Sequence, residues 1–95
     1  MVAIAVRCEG RRSEGWTCAV TLTDGGLEVS SHRVHVRPDD LQRLAAHAVP
    51  TRLVEESFAF LLERESPRMI LASFELADIG RYFPEYESEI RRRMS

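Results

Sequence analysis

Apolar and polar residues alternate in the N-terminal part of the chain, a pattern that predicts three β-strands. Residues 16–23 alternate most cleanly, with their large apolar side chains at even positions. Residues 2–8 are apolar at almost every position, which is typical of a central or covered strand. Asp24-Gly25-Gly26 predicts a tight hairpin that leads into a third strand at 27–36. Together these segments predict a three-stranded antiparallel meander.

The third predicted strand changes phase along its length. Leu27 and Val29 occupy odd positions, whereas Val34 and Val36 occupy even ones. A regular strand cannot place both pairs on one face, because successive side chains point to opposite sides. The sequence therefore predicts a β-bulge or bend near Ser30–Ser31.

Helical periodicity follows the strands. The segment 51–66 has the broadest apolar stripe, which requires a wide apolar surface to pack on. Shorter amphipathic segments predict further helices, and the predicted helices are 38–48, 51–66, 74–83 and 85–93. Strands followed by helices predict an α+β fold, with the helices packed on one face of the meander. Residues 1–95 are expected to form a single domain.

Composition narrows the classes of protein. The formal net charge is −2, so no overall field favours nucleic acid or an anionic membrane. All thirteen basic residues are arginine, which suggests a GC-rich bacterial genome. No segment has the roughly 20 apolar residues of a membrane helix, and no secretion signal is recognisable. Two cysteines are too few for a disulfide framework, so the sequence predicts a reducing cytoplasm and two reduced structural cysteines.

Metal, cofactor and catalytic motifs are not predicted. The candidate soft or imidazole ligands show no metal-binding spacing; they are Cys8, Cys18, His32, His35 and His47. The best candidate for catalysis is Ser31–His32–His35 on the third strand, but a solvated strand is the preferred explanation of these residues. Neither a phosphate-binding glycine loop nor another small-molecule motif is evident. We therefore expect a protein that is not an enzyme and has no cofactor.

Nucleic-acid binding is the alternative function that the sequence leaves open. Arg11 and Arg12 lie in the first predicted loop, and Arg33 and Arg37 lie on or just after the third strand. Such arginines could form a basic strip for phosphate contacts. Acidic residues are spread as evenly as the arginines, and no aromatic residue lies among these four to stack on a base.

An apolar and aromatic cluster in the last third of the chain is the main candidate for a partner surface. Its members are Phe74, Ile79, Tyr82, Phe83 and Tyr86. Such a cluster either packs on the sheet or docks on another chain, since Tyr and Phe serve both purposes. A three-stranded sheet also leaves an edge open to pairing. The sequence predicts a cytoplasmic interaction or accessory module that binds a protein partner or a second copy of itself.

The C-terminal half also shows a resemblance to known proteins. It is carried by V-E-E-S-F-A-F-L-L-E-R-E at 54–65 and F-E-L-A-D-I-G-R-Y-F-P-E-Y-E at 74–87. This block resembles a group of small bacterial proteins of unknown function. The resemblance implies no activity, cofactor or catalytic residue.

Overall fold

The computed structural model describes all 95 residues and shows an α+β fold, in which three of the four strands of the sheet precede all the helices. The strands are β1 (Val2–Arg11), β2 (Gly15–Asp24), β3 (Leu27–Val36) and β4 (Ser73–Glu75). The helices are α1 (Pro38–Ala45), α2 (Pro50–Leu62), α3 (Ile79–Tyr82) and α4 (Tyr86–Met94). Two 3₁₀ turns, Pro67–Met69 and Leu76–Asp78, flank β4.

The sheet has the order β1-β2-β3-β4 and is mixed. The first three strands pair antiparallel, as predicted, and β4 pairs parallel with β3 through Arg33–Ser73, Val34–Phe74 and His35–Glu75. The prediction of a three-stranded, purely antiparallel sheet is therefore wrong in this respect. The fourth strand is three residues long, too short to produce an alternating pattern in the sequence.

One face of the sheet is buried and the other is exposed. Even-numbered residues of β2 such as Cys18, Val20 and Leu22 are fully buried, as are Val34 and Val36 of β3. Their odd-numbered neighbours are exposed or half-buried. We refer to the exposed side as the open face. Because β1 is an edge strand, the prediction of a central or covered first strand is wrong; its small alanines at odd positions face solvent.

The predicted irregularity in β3 is present close to the expected place. Leu22 pairs with Ser30, whereas Thr23 pairs with Glu28, so Val29 is the extra residue of a bulge. The bulge lies one residue before the predicted pair Ser30–Ser31. It adjusts the phase of the strand, but Leu27 at the hairpin tip lies beyond the core and remains exposed.

The two cysteines form a disulfide bond, which corrects the prediction of reduced thiols. Cys8 and Cys18 are directly opposite each other in the β1–β2 pairing, with their Cα atoms 4.0 Å apart. Strand pairing alone therefore brings the two sulfur atoms within bonding reach.

The β1–β2 hairpin has a shorter turn than the predicted 9–15 loop. Gly10 adopts a positive φ of 139° there, and a Cβ at this position would lie 2.2 Å from the Gly15 carbonyl oxygen.

The first two helices lie where the sequence predicts them, although both end earlier. The helix α1 ends at Ala45 instead of residue 48, and α2 ends at Leu62 instead of residue 66. The apolar stripe of α2 is buried as expected, and its fully or almost fully buried residues are Leu53, Val54, Phe58, Phe60 and Leu61. These residues belong to a single cluster of 18 buried side chains that also includes the buried face of β2 and β3.

The predicted helix 74–83 is wrong over most of its length. Phe74 belongs to β4, residues 76–78 form a 3₁₀ turn, and only Ile79–Tyr82 is α-helical. The apolar spacing of this segment suits a helix, but pairing of Phe74 with Val34 in the sheet overrides it. The last helix matches its prediction to within about one residue. None of the helices is both long and apolar enough to span a membrane.

Candidate functional site

The chain forms a U-shaped segment after α2. Pro67 begins a 3₁₀ turn, residues 69–74 form one arm, and residues 78–83 form the other. A capping box makes the bend between the arms, because the Asp78 carboxylate accepts a hydrogen bond from the Glu75 amide at 3.3 Å. We refer to residues 66–83 as the U segment.

A cleft of about 360 Å³ lies between the two arms, and ten residues line it. The lining residues are Leu61, Glu65, Met69, Ile70, Leu71, Phe74, Asp78, Ile79, Tyr82 and Phe83. Eight of the ten are hydrophobic, so the cleft mainly offers apolar contact. Four of the five residues of the predicted partner surface line it.

Large apolar side chains are exposed around this cleft. Met69 is 66% exposed, Leu71 54% and Tyr82 69%. They are three of only seven large hydrophobic side chains exposed in the whole chain. Concentrated exposure of this kind marks an interaction site more often than scattered exposure does.

The members of the predicted partner surface differ in accessibility. Tyr82 is exposed and Phe74 and Phe83 are half-buried, whereas Ile79 is buried in the floor of the cleft. Tyr86 does not reach the cleft. It is fully buried, and its ring packs against Phe60 with centroids 5.3 Å apart.

The Tyr86 hydroxyl is buried and hydrogen-bonded within the core. Ser57 Oγ donates to the Leu53 carbonyl oxygen at 2.7 Å, so the Tyr86 hydroxyl donates to Ser57 Oγ, also at 2.7 Å. Burial raises the pKa of the Tyr86 phenol well above its ordinary value. The ring therefore joins α4 to α2 inside the core.

His32 ties the U segment to the sheet. Its Nδ1 lies 2.7 Å from the Leu71 carbonyl oxygen and its Nε2 lies 2.8 Å from Ser30 Oγ. A carbonyl only accepts, so Nδ1 carries a proton and donates it to Leu71, and Nε2 forms a hydrogen bond with Ser30 Oγ. The ring also packs against Phe58, with centroids 5.4 Å apart. This role was not predicted from the sequence, although His32 shares its phase with Val34 and Val36 and could have been placed in the core on that basis.

Two carboxylates are the only charged groups that line the cleft. Asp78 forms an ion pair with Arg81 at 3.4 Å. Glu65, at the opposite side, is half-buried and has no ion-pair partner within 4.0 Å. The rim therefore has a negative charge that the protein itself leaves partly uncompensated.

Ion pairs join the residues just after α2 to both ends of α4. The Arg64 guanidinium lies 3.7 Å above the Phe60 ring and pairs with Glu85 at 3.0 Å. Arg93 binds both carboxylate oxygens of Glu63 at 2.7 Å, and this hydrogen bonding holds the pKa of Glu63 below its usual value. These arginines stabilise the fold and are committed to intramolecular partners.

The arginines proposed for nucleic acid do not form one free strip. Arg11 pairs with Glu14 at 3.2 Å, and Arg37 pairs with Glu75 at 3.3 Å. Arg12 lies in the β1–β2 turn, and Arg33 is exposed on the open face without an ion-pair partner. The catalytic candidate is also divided, because Ser31 lies on the open face and His32 on the buried one.

Comparison with known proteins adds no family to this description. No protein-family model matches the chain, and no curated protein or solved structure matches it significantly. The resemblance of the 54–87 block to small bacterial proteins therefore stays a prediction.

Proposed function

We propose that this protein is a non-enzymatic interaction module whose cleft binds a short apolar segment of a partner protein. The observation that carries the proposal is the exposure of Met69, Leu71 and Tyr82 around one concave site. Burying each such side chain in an interface contributes roughly 1.5 to 3 kcal/mol before the costs of association. A partner that covers this cleft therefore gains binding free energy by removing these three exposed apolar side chains from water.

The size of the cleft limits what it can take. Its 360 Å³ is near the lower end of the range of about 300 to 1,000 Å³ for ligand pockets. A site of that size accepts a few large side chains, as in the anchor pockets of peptide-binding grooves. The proposed occupant is thus a short anchor segment and not a whole protein surface.

The charge of the rim specifies the partner further. Glu65 has no ion-pair partner within 4.0 Å, and Asp78 has only the exposed Arg81. A segment with apolar anchors beside a Lys or Arg complements both features. An acidic segment would be repelled by the same carboxylates.

Peptide selection on the purified protein tests this proposal. A random peptide library displayed on phage is expected to yield binders with two or more large apolar residues beside a basic one. Tyr82→Glu and Met69→Glu are expected to weaken those binders by about tenfold or more, since each places a buried charge in the contact. Leu27→Glu is the matched control, because Leu27 is equally exposed but lies at the hairpin tip.

Three outcomes would contradict the proposal. One is the absence of enriched peptides, and another is undiminished binding to Tyr82→Glu and Met69→Glu. The third concerns the homodimer that the sequence also suggests: if sedimentation velocity shows a dimer that Tyr82→Glu dissociates, the cleft is occupied by a second copy and not by a different partner.

Nucleic-acid binding has less support as a function. Two of its four proposed arginines, Arg11 and Arg37, already have carboxylate partners. The open face, where Arg33 lies, also has no Phe, Tyr or Trp side chain on which the bases of a single strand could stack. We therefore favour the protein-binding function.

Two finer features belong to the same proposal. Alternating burial along β2 and β3 supports a helical layer that covers only one face of the sheet.

A cytoplasmic location remains the prediction from the sequence, and the Cys8–Cys18 bond gives a way to test it. Thiol trapping in intact cells should find both cysteines free in a reducing compartment, whereas a protected disulfide would indicate an oxidising one.

A further inference from the structure

Most of the arginines of this protein form ion pairs, and a few have no carboxylate partner. Nine of the thirteen lie within 4.0 Å of a carboxylate. The other four are Arg7, Arg12, Arg33 and Arg68. Arg12 and Arg68 lie in separate turns, whereas Arg7 and Arg33 lie on the same open face of the sheet.

Strand register places these two arginines on either side of one small residue. Ala19 of β2 pairs with Arg7 of β1 and with Arg33 of β3. Since neighbouring strands are about 4.8 Å apart, the two Cα atoms are separated by about 10 Å. Two long guanidinium side chains at that spacing can both reach a group held above Ala19.

Two threonine hydroxyl groups lie near the same position on the open face. Thr17 and Thr21 precede and follow Ala19 by two residues, so they share its face of the sheet. The methyl group of Ala19 leaves the centre of this area free of bulk. We refer to Arg7, Thr17, Ala19, Thr21 and Arg33 as the Ala19 basin.

The charges around the basin favour an anion. Arg33 and Arg7 have no counter-ion from the protein, so an anion between them relieves their mutual repulsion. Glu9, in the next row of the face, is the nearest opposing charge on β1, and Glu75 is already neutralised by Arg37 at 3.3 Å. Arginine forks match the geometry of phosphate oxygens, and threonine hydroxyls can donate to the same group.

We propose that the Ala19 basin binds the phosphate group of a small ligand, either inorganic phosphate or a phosphomonoester. The site is on the opposite side of the sheet from the buried core and does not depend on the cleft or on its proposed partner. Arg33 was a candidate contact residue in the sequence and Arg7 was not, because only the strand register shows that the two are neighbours.

Titration of the ¹⁵N-labelled protein with inorganic phosphate, at constant ionic strength balanced with chloride, tests this site. We expect saturable shifts centred on the Ala19 amide. Arg7→Gln and Arg33→Gln should each weaken association about tenfold, since each removes a charge-assisted hydrogen bond. Glu9→Gln should strengthen it about twofold by removing a negative charge at short range.

Arg12→Gln and Arg68→Gln are the matched controls, because they remove the other two unpaired arginines. Each should change phosphate affinity by less than about twofold, as expected for exposed charges at a distance. Equal losses in all four variants, linear shifts without saturation, or shifts centred away from Ala19 would overturn the proposal. All the substituted side chains are exposed, so thermal unfolding should be little changed.

Comparison of probes identifies the source of the phosphate. Glycerol 3-phosphate binding more tightly than inorganic phosphate indicates a phosphomonoester ligand, and the reverse order indicates the free ion. Binding of oligothymidylate, in the absence of any response to the two small probes, would refute the proposal and favour nucleic acid instead.

Discussion

Residues 2–36 and the U segment are ordered by different kinds of interaction. The meander at 2–36 is long, continuous and hydrogen-bonded along its whole length, and a disulfide joins its first two strands. The U segment consists of two 3₁₀ turns, a three-residue strand and one turn of helix. Its position depends on a few contacts with other elements, among them His32 to Leu71 and Phe58 to Phe74.

The difference between the two regions indicates which of them can adjust its structure when a partner binds. Local openings of a protein are drawn from segments with few buried contacts, and these segments can adjust to a ligand. The U segment has exposed apolar side chains and short elements, whereas the meander has a fixed register. We expect the meander to act as the rigid support and the U segment to be the part that responds to a partner.

The largest expected effect comes from Phe58→Ala, which removes the one ring that packs on both regions. Phe58 is fully buried, and its centroid lies 5.4 Å from that of His32 and 6.0 Å from that of Phe74. The free energy of unfolding should fall by about 3 to 5 kcal/mol. Chemical denaturation measures it, with Tyr82→Ala as an exposed control that should change stability by less than about 0.5 kcal/mol. A loss below 1 kcal/mol would contradict the packing described here.

Removal of the disulfide should affect the meander alone. For Cys8→Ala with Cys18→Ala, opening a crosslink over 10 residues should cost about 2 to 3 kcal/mol of stability. Wild-type protein in reductant should show the same loss, which provides the control. Peptide binding at the cleft should be unchanged, because the bond joins β1 and β2. Loss of cleft binding in this variant would show that the two regions are not independent.

The same division explains what could be inferred from the sequence. Alternation over eight to ten residues predicted the three long strands, and phase analysis placed the bulge within one residue of Val29. The apolar stripe of α2 predicted its buried side. In each case the information lies within the segment itself, as side-chain period and turn chemistry.

The errors concern features that depend on distant residues. Nothing local distinguishes Phe74 in a strand from Phe74 in a helix, because pairing with Val34 decides between them. The disulfide and the Arg7–Arg33 pair likewise follow from register and not from spacing. Four of the five residues of the predicted partner surface line the cleft, whereas Tyr86 is buried against α2, and Met69 and Leu71 were not selected from the sequence.

His32→Ala should loosen the U segment while leaving the meander intact. It removes the ring that donates to the Leu71 carbonyl and is hydrogen-bonded to Ser30 Oγ, so we expect the free energy of unfolding to fall by about 1 to 3 kcal/mol. Hydrogen exchange should rise at residues 69–75 more than in β1 and β2. His35→Ala is the matched control, since His35 lies on the open face of the same strand. Equal protection of residues 69–75 from hydrogen exchange in both variants would show that His32 does not hold the U segment in place.

Tyr86→Phe should give the smallest effect at neutral pH and a distinctive effect at high pH. The substitution removes the hydrogen bond to Ser57 and should cost about 0.5 to 1.5 kcal/mol at pH 7. Burial raises the pKa of this phenol in the folded state, whereas in the unfolded chain it titrates near its ordinary value of about 10. The unfolded state therefore loses its proton first, so the contribution of Tyr86 is fully present below pH 10 and is lost as the pH rises above it.

Phenylalanine has no proton to lose, so the variant should lack the part of the high-pH decline that Tyr86 causes. The measurement is urea denaturation of both proteins between pH 8 and about 11.5, where the difference in unfolding free energy should shrink with increasing pH. The difference should stay constant if the phenol is solvated in the folded protein. Because Tyr86 lies outside the cleft, hydrogen exchange at residues 69–75 should be the same in both proteins, in contrast to His32→Ala. A change there would show that α4, and not only the sheet, sets the position of the U segment.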